Sequence, residues 1–134
     1  LTSYSAASLA NGVFYYNTQQ SHSYSLDIIN SGSSAYVASG VDRLANVSGN
    51  NKPITVNAGD TINFVVNASG HPLYIKSVAG TGTGNQVTTP TATNQGAQVG
   101  TVIWIPNTAG TYYYQCSNHS AMVGQIIVRS QGTK

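Results

Sequence analysis

An all-β domain, built as an antiparallel sandwich or barrel, is the fold class this sequence predicts. Three observations predict it. The apolar residues fall in short runs rich in β-branched and aromatic side chains. Where a run is long enough to show a period, the period is two. Gly, Asn and Ser separate the runs, and no helical stripe occurs. At 134 residues the chain suits one domain with its own core and is too short for two.

In chain order, the first strands fall at Gly12 to Tyr16, Tyr24 to Ile29 and Ala35 to Ser39, and Ser31-Gly32-Ser33 reads as a hairpin turn between the last two. A polar loop then runs through Asn50 and Asn51. Pro53-Ile54-Thr55-Val56 follows, with a turn at Asn57-Ala58-Gly59-Asp60. In Thr61 to Val66, Ile62, Phe64 and Val66 alternate with Thr61, Asn63 and Val65, the pattern of a strand with one buried face. Leu73 to Val78, Thr101 to Trp104, Thr111 to Tyr114 and Val123 to Arg129 complete the set. The polar stretch from Ala79 to Val99 reads as an excursion loop with room for short strands of its own. Gly80, Gly82 and Gly84 lie in it without the spacing of a phosphate-binding loop, and no helix follows them, so they read as flexible loop residues.

Composition removes several function classes. Only 6% of residues are charged; there is no Glu, and Asp occurs only at Asp27, Asp42 and Asp60, which leaves carboxylate-based catalysis almost nothing to work with. With 40% hydrophobic residues the chain is not disordered, and its solubility rests on Ser, Thr, Asn and Gln. A formal charge of +2 spread over scattered Lys and Arg predicts no nucleic-acid partner and no anionic-membrane surface. No apolar stretch approaches the roughly 20 residues of a membrane span. The polar start Leu1-Thr2-Ser3 is not a signal peptide, so a mature form after signal removal is expected. One cysteine excludes an intrachain disulfide and every metal site built on paired cysteines.

The chemistry concentrates in Tyr112-Tyr113-Tyr114-Gln115-Cys116-Ser117-Asn118-His119-Ser120-Ala121-Met122. Cys116 stands at a strand end, His119 in the following turn and Met122 before the next strand, so one tight loop brings a thiol, an imidazole and a thioether to one point. Taken singly, a Cys or a Met is more often core filling, and a His more often merely hydrogen-bonded. Their joint occurrence within seven residues, in a chain with one Cys, one Met and three His, argues for a metal site. Thiolate with thioether selects copper over zinc, calcium or magnesium. His71, at a strand start after Ala68-Ser69-Gly70, is the best candidate for a second imidazole. His22 lies in a polar segment without neighbouring ligand types.

Two blocks resemble the cupredoxins, the plastocyanin, amicyanin and pseudoazurin family of blue copper proteins. Gly110-Thr111-Tyr112-Tyr113-Tyr114-Gln115-Cys116-Ser117-Asn118-His119, then Met122-Val123-Gly124-Gln125-Ile126, is similar to the family's Gly-Thr-Tyr, strand, Cys, His, Met, Gly signature. Val56-Asn57-Ala58-Gly59-Asp60-Thr61-Ile62-Asn63-Phe64 followed by His71 is similar to its Gly-Asp turn, strand and first histidine. The resemblance implies a Greek-key β-sandwich with one mononuclear copper ion. His71, Cys116 and His119 would form a trigonal plane, with Met122 as the long axial ligand. It covers Pro53 to Arg129 well and extends over Ala35 to Asn51. Residues 1–34 are then an N-terminal extension packed as extra strands on a single domain, and 35–134 the cupredoxin domain.

The departures matter. Pro72 follows His71 where the family has Asn or Ser, a residue that ties the two ligand loops together. Asn118, Ser120 and Ala121 replace the proline and bulky aromatic of amicyanin-type loops, which would leave the copper more open. The resemblance implies an electron carrier cycling Cu(I) and Cu(II), with His119 at the exposed edge and redox proteins as partners. The alternative is an open-site cupredoxin, nitrosocyanin-like, that binds, oxidises or reduces a small ligand such as nitric oxide. That branch uses a Glu ligand, absent here. A blander alternative is a copper-binding or structural module whose redox cycling is incidental. A zinc hydrolase is a poor fit, because no Glu exists to act as general base.

Charge adds a point independent of family. No Asp, Glu, Lys or Arg occurs from Ser77 to Val128. With one thiolate, Cu(II) leaves +1 and Cu(I) leaves zero, so a poorly hydrated neutral setting favours Cu(I) and a high potential. Docking onto partners would depend weakly on salt unless Lys76 or Arg43 folds close. Most of Tyr112, Tyr113, Tyr114 and Trp104 are expected in the core. By resemblance the protein works outside the cytoplasm, in periplasm, lumen or at the cell surface. A glycan at Asn118 of Asn118-His119-Ser120 would obstruct the site, which favours a prokaryotic source.

Overall fold

The computed structural model describes residues 20–130, so the strand expected at Gly12 to Tyr16 lies outside the described residues. Nine strands follow in order: β1 Ser23–Ser31, β2 Ala35–Val41, β3 Asn46–Asn50, β4 Ile54–Asn57, β5 Thr61–Asn67, β6 Leu73–Lys76, β7 Val99–Trp104, β8 Gly110–Cys116 and β9 Val123–Arg129. They form a five-stranded sheet, β3-β2-β1-β5-β7, and a four-stranded sheet, β4-β9-β8-β6. No helix occurs among the described residues, so none is long and apolar enough to cross a membrane.

The alternation in β5 is realised: Ile62, Phe64 and Val66 are buried, as are Leu26 and Ile28 of β1 on the same sheet. From the opposing sheet come Ile54, Val56, Leu73, Ile75, Tyr114, Ile126 and Val128. Burying each such large aliphatic side chain contributes about 1.5–3 kcal/mol. Trp104 and Tyr114 lie in this core, while Tyr112 packs against it only partly buried. The turn at Ser31 to Ser34 closes β1 onto β2 through the Ser34 N–H to the Ser31 carbonyl, with Gly32 at φ 54 in the left-handed region.

Two features differ from the sequence reading. The sheets are mixed, because β1 pairs parallel with β5 and β4 parallel with β9. A parallel neighbour leaves no local trace in sequence, since its partner arrives by a crossover. The segment read as a polar loop through Asn50 and Asn51 also contains β3, an edge strand on β2. Val47 is its one buried apolar side chain, too little for a visible alternation. The excursion from Ala79 onward holds no full strand, only isolated bridges such as Lys76 with Gln86 and Thr93 with Ile103.

Gly124 is fixed by packing. A Cβ there would run into the Tyr114 ring, whose hydroxyl donates to the Lys52 carbonyl at 2.6 Å. Gly124→Ala is therefore expected to cost about 1–3 kcal/mol, the cost of overpacking a filled core. Denaturant unfolding of the metal-free protein measures it.

Candidate metal centre

Strand period and register bring the site together. Along β8, Tyr114 and Cys116 share one face by their spacing of two and are both fully buried. Leu73 of β6 pairs with Cys116, so His71, two residues earlier, arrives beside the cysteine. The turn before it is fixed by the His71 N–H to the Ala68 carbonyl, 2.9 Å, by Gly70 at φ 86, and by the Gly70 N–H to Gln98 Oε1, 2.7 Å. The buried Tyr36 hydroxyl donates to the His71 carbonyl at 2.7 Å. Burial and the neighbouring Cys116 push that hydroxyl's pKa far up, so it remains a donor.

The result is one cluster of donor atoms. Cys116 Sγ lies 3.8 Å from His71 Nδ1 and 3.6 Å from His119 Nδ1, and the three ligand atoms all lie within 4.8 Å of one another. Transition-metal bonds to imidazole nitrogen and thiolate sulfur run about 2.0–2.3 Å, so these spacings suit donors sharing one ion. A thiolate with two imidazoles suits copper. Cys116 is wholly buried, His71 nearly so, and His119 is partly exposed among exposed Asn118, Ser120 and Ala121. Met122 is also wholly buried, in the same apolar cluster as Cys116. Its carbonyl accepts from the Cys116 N–H at 2.9 Å and its N–H donates to the His119 carbonyl at 3.2 Å. His22 lies elsewhere, with its N–H on Asp60.

The family of copper-binding proteins that includes plastocyanin and azurin matches residues 35–129. The chain belongs to this family. It is a cupredoxin, and its resident metal is a single copper ion, for which the His-Cys-His cluster supplies a fitting donor set. Comparison with curated proteins finds no match. Among solved structures the chain is similar to rusticyanin from Thiobacillus ferrooxidans, at 22% identity over 80% of this chain and 77% of that one, with a TM-score of 0.50. It is also similar to a methionine-to-leucine variant of rusticyanin, at 21% identity over 86% and 79%, with a TM-score of 0.51. These likenesses bear on fold alone. β1 precedes the residues matched by the family, yet is hydrogen-bonded on both sides within its sheet.

Pro72 does not leave the loops carrying His71 and His119 untied. The Ser117 N–H donates to the Pro72 carbonyl at 3.1 Å, and Asn118 Nδ2 donates to the Gly70 carbonyl at 3.0 Å. A proline keeps its carbonyl, so the tie passes to residues on the other loop. The Asn118 N–H also points at Cys116 Sγ, 3.4 Å away, a hydrogen bond that favours the more electron-rich sulfur of the thiolate.

One charge borders the neutral half of the chain, three residues along β6 from the Leu73–Cys116 pair. Lys76, at 1% exposure, is buried on β6 with Nζ donating to the carbonyls of Gly80 at 2.7 Å and Gly82 at 3.1 Å. Burial pushes its ammonium pKa down. The one ion pair among the described residues, Arg43 with Asp60, sits at the far end of the sandwich. Asp60 holds the Asn57 N–H, and β4 pairs there with β9 at Arg129, away from the Cys116 end of β8.

Proposed function

We propose that this cupredoxin is a type 1 copper electron carrier in which His71, Cys116 and His119 are the metal ligands and Met122 is a weak axial ligand. One observation carries the reading: two imidazole Nδ1 atoms converge on a fully buried Sγ, and of the donor side chains only His119 reaches appreciably towards solvent. Bound copper supplies the one-electron Cu(II)/Cu(I) couple. The chain does the rest. Cys116 supplies the thiolate, Asn118 hydrogen-bonds it, and the strands and loop ties hold the donors in nearly one arrangement, which keeps reorganisation between oxidation states small. His119 is the route for the electron at the surface.

The exposed residues around His119 carry no charge, which supports docking onto redox partner proteins that responds weakly to ionic strength. The same reading places the protein outside the cytoplasm, with residues 1–34 as an extension of a single cupredoxin domain.

Small residues around the site raise the other reading, a copper open to nitric oxide. The burial of Cys116 and Met122 favours the carrier. Titrating the copper-loaded protein with azide, nitrite and nitric oxide decides between them: the carrier predicts an unchanged visible spectrum, and a ligand-dependent spectrum would overturn it. Met122→Leu should keep the colour and move the potential upward, read by voltammetry; unchanged colour with an unchanged potential would remove Met122 from the ligand set.

A further inference from the structure

Gln115 precedes Cys116 and, by strand period, points to the other face of its sheet. Such a side chain is ordinarily solvated, but Gln115 is fully buried. Its Nε2 donates to three backbone carbonyls, those of Cys116 at 3.0 Å, His119 at 3.1 Å and Met122 at 3.2 Å. Its Oε1 accepts the Gly80 N–H at 3.0 Å. The three acceptors on one side and the N–H on the other fix which end of the amide is nitrogen. The 80–82 segment is held in turn by Lys76 Nζ, which draws its carbonyls inward. Positive φ at Gly80 and Gly82 permits that convergence, and the Gly82 N–H donates to the Ser117 carbonyl at 2.8 Å.

We infer that Gln115 is a positioning residue: its side-chain amide gathers the backbone of Cys116, His119 and Met122 and holds the ligand loop in its metal-binding shape before copper arrives, with Lys76 anchoring the segment that holds Gln115. The inference rests on the ligand assignment proposed above. One amide offers two hydrogens to three carbonyls, so all three must stay close together to share them. A loop so held neither collapses when the metal is absent nor shifts between oxidation states. The glycines at 80 and 82 thereby serve a lysine cage, where the sequence suggested only flexibility.

Gln115→Met keeps the volume and removes every hydrogen bond; Gln115→Glu keeps the acceptor for Gly80 and removes the donors. In both, copper affinity should fall about 10- to 100-fold, the usual effect of removing a group that orients metal ligands. The thiolate-to-copper bands and the electron paramagnetic resonance of the loaded protein should shift. In the metal-free variants the Cys116 and Met122 amides should exchange with deuterium faster by a similar factor. Wild-type exchange rates and spectra in these variants would overturn the inference. Should both fail to fold, metal-free wild-type protein decides: slow exchange of the Gln115 side-chain amide protons supports the clamp, and exchange at the rate of a free amide overturns it. Protected amides in a wild-type protein that shows no thiolate–copper absorption would sink the ligand assignment and leave the clamp standing. Absorption with unprotected amides would sink the clamp alone.

Discussion

Cys116→Ser is expected to abolish the intense visible absorption of the copper-loaded protein outright, because that colour requires a thiolate sulfur and the chain has one cysteine. A hydroxyl is a poor copper donor at neutral pH, so copper affinity should fall with the colour. The fold should survive. Serine at this fully buried position leaves a polar group short of partners, at a cost of about 1–3 kcal/mol, well below the stability of an ordinary domain. Absorption spectra beside a thermal melt of the same sample separate the two effects; a coloured variant would remove Cys116 from the site.

The second large effect lies at the opposite end of the sandwich. Asp60 is buried and accepts from Arg43 Nε and Nη2 at 2.9 Å each, from the Asn57 N–H at 2.7 Å and from the His22 N–H at 3.0 Å. Asp60→Ala strands a mostly buried guanidinium and two backbone donors, and should cost about 3–5 kcal/mol, a large share of a typical domain's stability. Burial by itself pushes the Asp60 carboxyl up, but the Arg43 fork and the two N–H donors more than offset it and hold the pKa below the ordinary carboxylate value. With the folded pKa depressed, the carboxylate's contribution is fully present above about pH 4, the unfolded value, and is lost as pH falls through the folded one. Urea unfolding at neutral pH and in acid should show wild type losing stability on that limb and Asp60→Ala losing less. Equal acid sensitivity would mean that Asp60 is not the group responsible.

How much could be read from the sequence differs by element. The nearness of Cys116 and His119 was legible because strand and turn spacing are local. His71 was harder, since only the register of β6 on β8 brings it in. β3 was not legible, with Val47 as its one buried apolar residue, and neither were the parallel pairings of β1 with β5 and β4 with β9, which depend on distant partners. The chain's neutral half also hid a charge at its border. Lys76 could be read only as a charge free to fold close, and the fold turns it inward onto the carbonyls of 80–82. The burial of Gln115 was not legible either, because the segment that covers it lies far along the chain.

In the proposed function, one copper held by the Cys116 thiolate and two imidazoles passes single electrons without rearranging its site. Spectroelectrochemical titration of the copper-loaded protein tests it most directly. An intense thiolate-to-Cu(II) absorption should vanish on uptake of one electron per chain and return fully on oxidation, with a midpoint high for its class. Copper bound without that absorption, colour that fails to return, or a midpoint low for its class would contradict it.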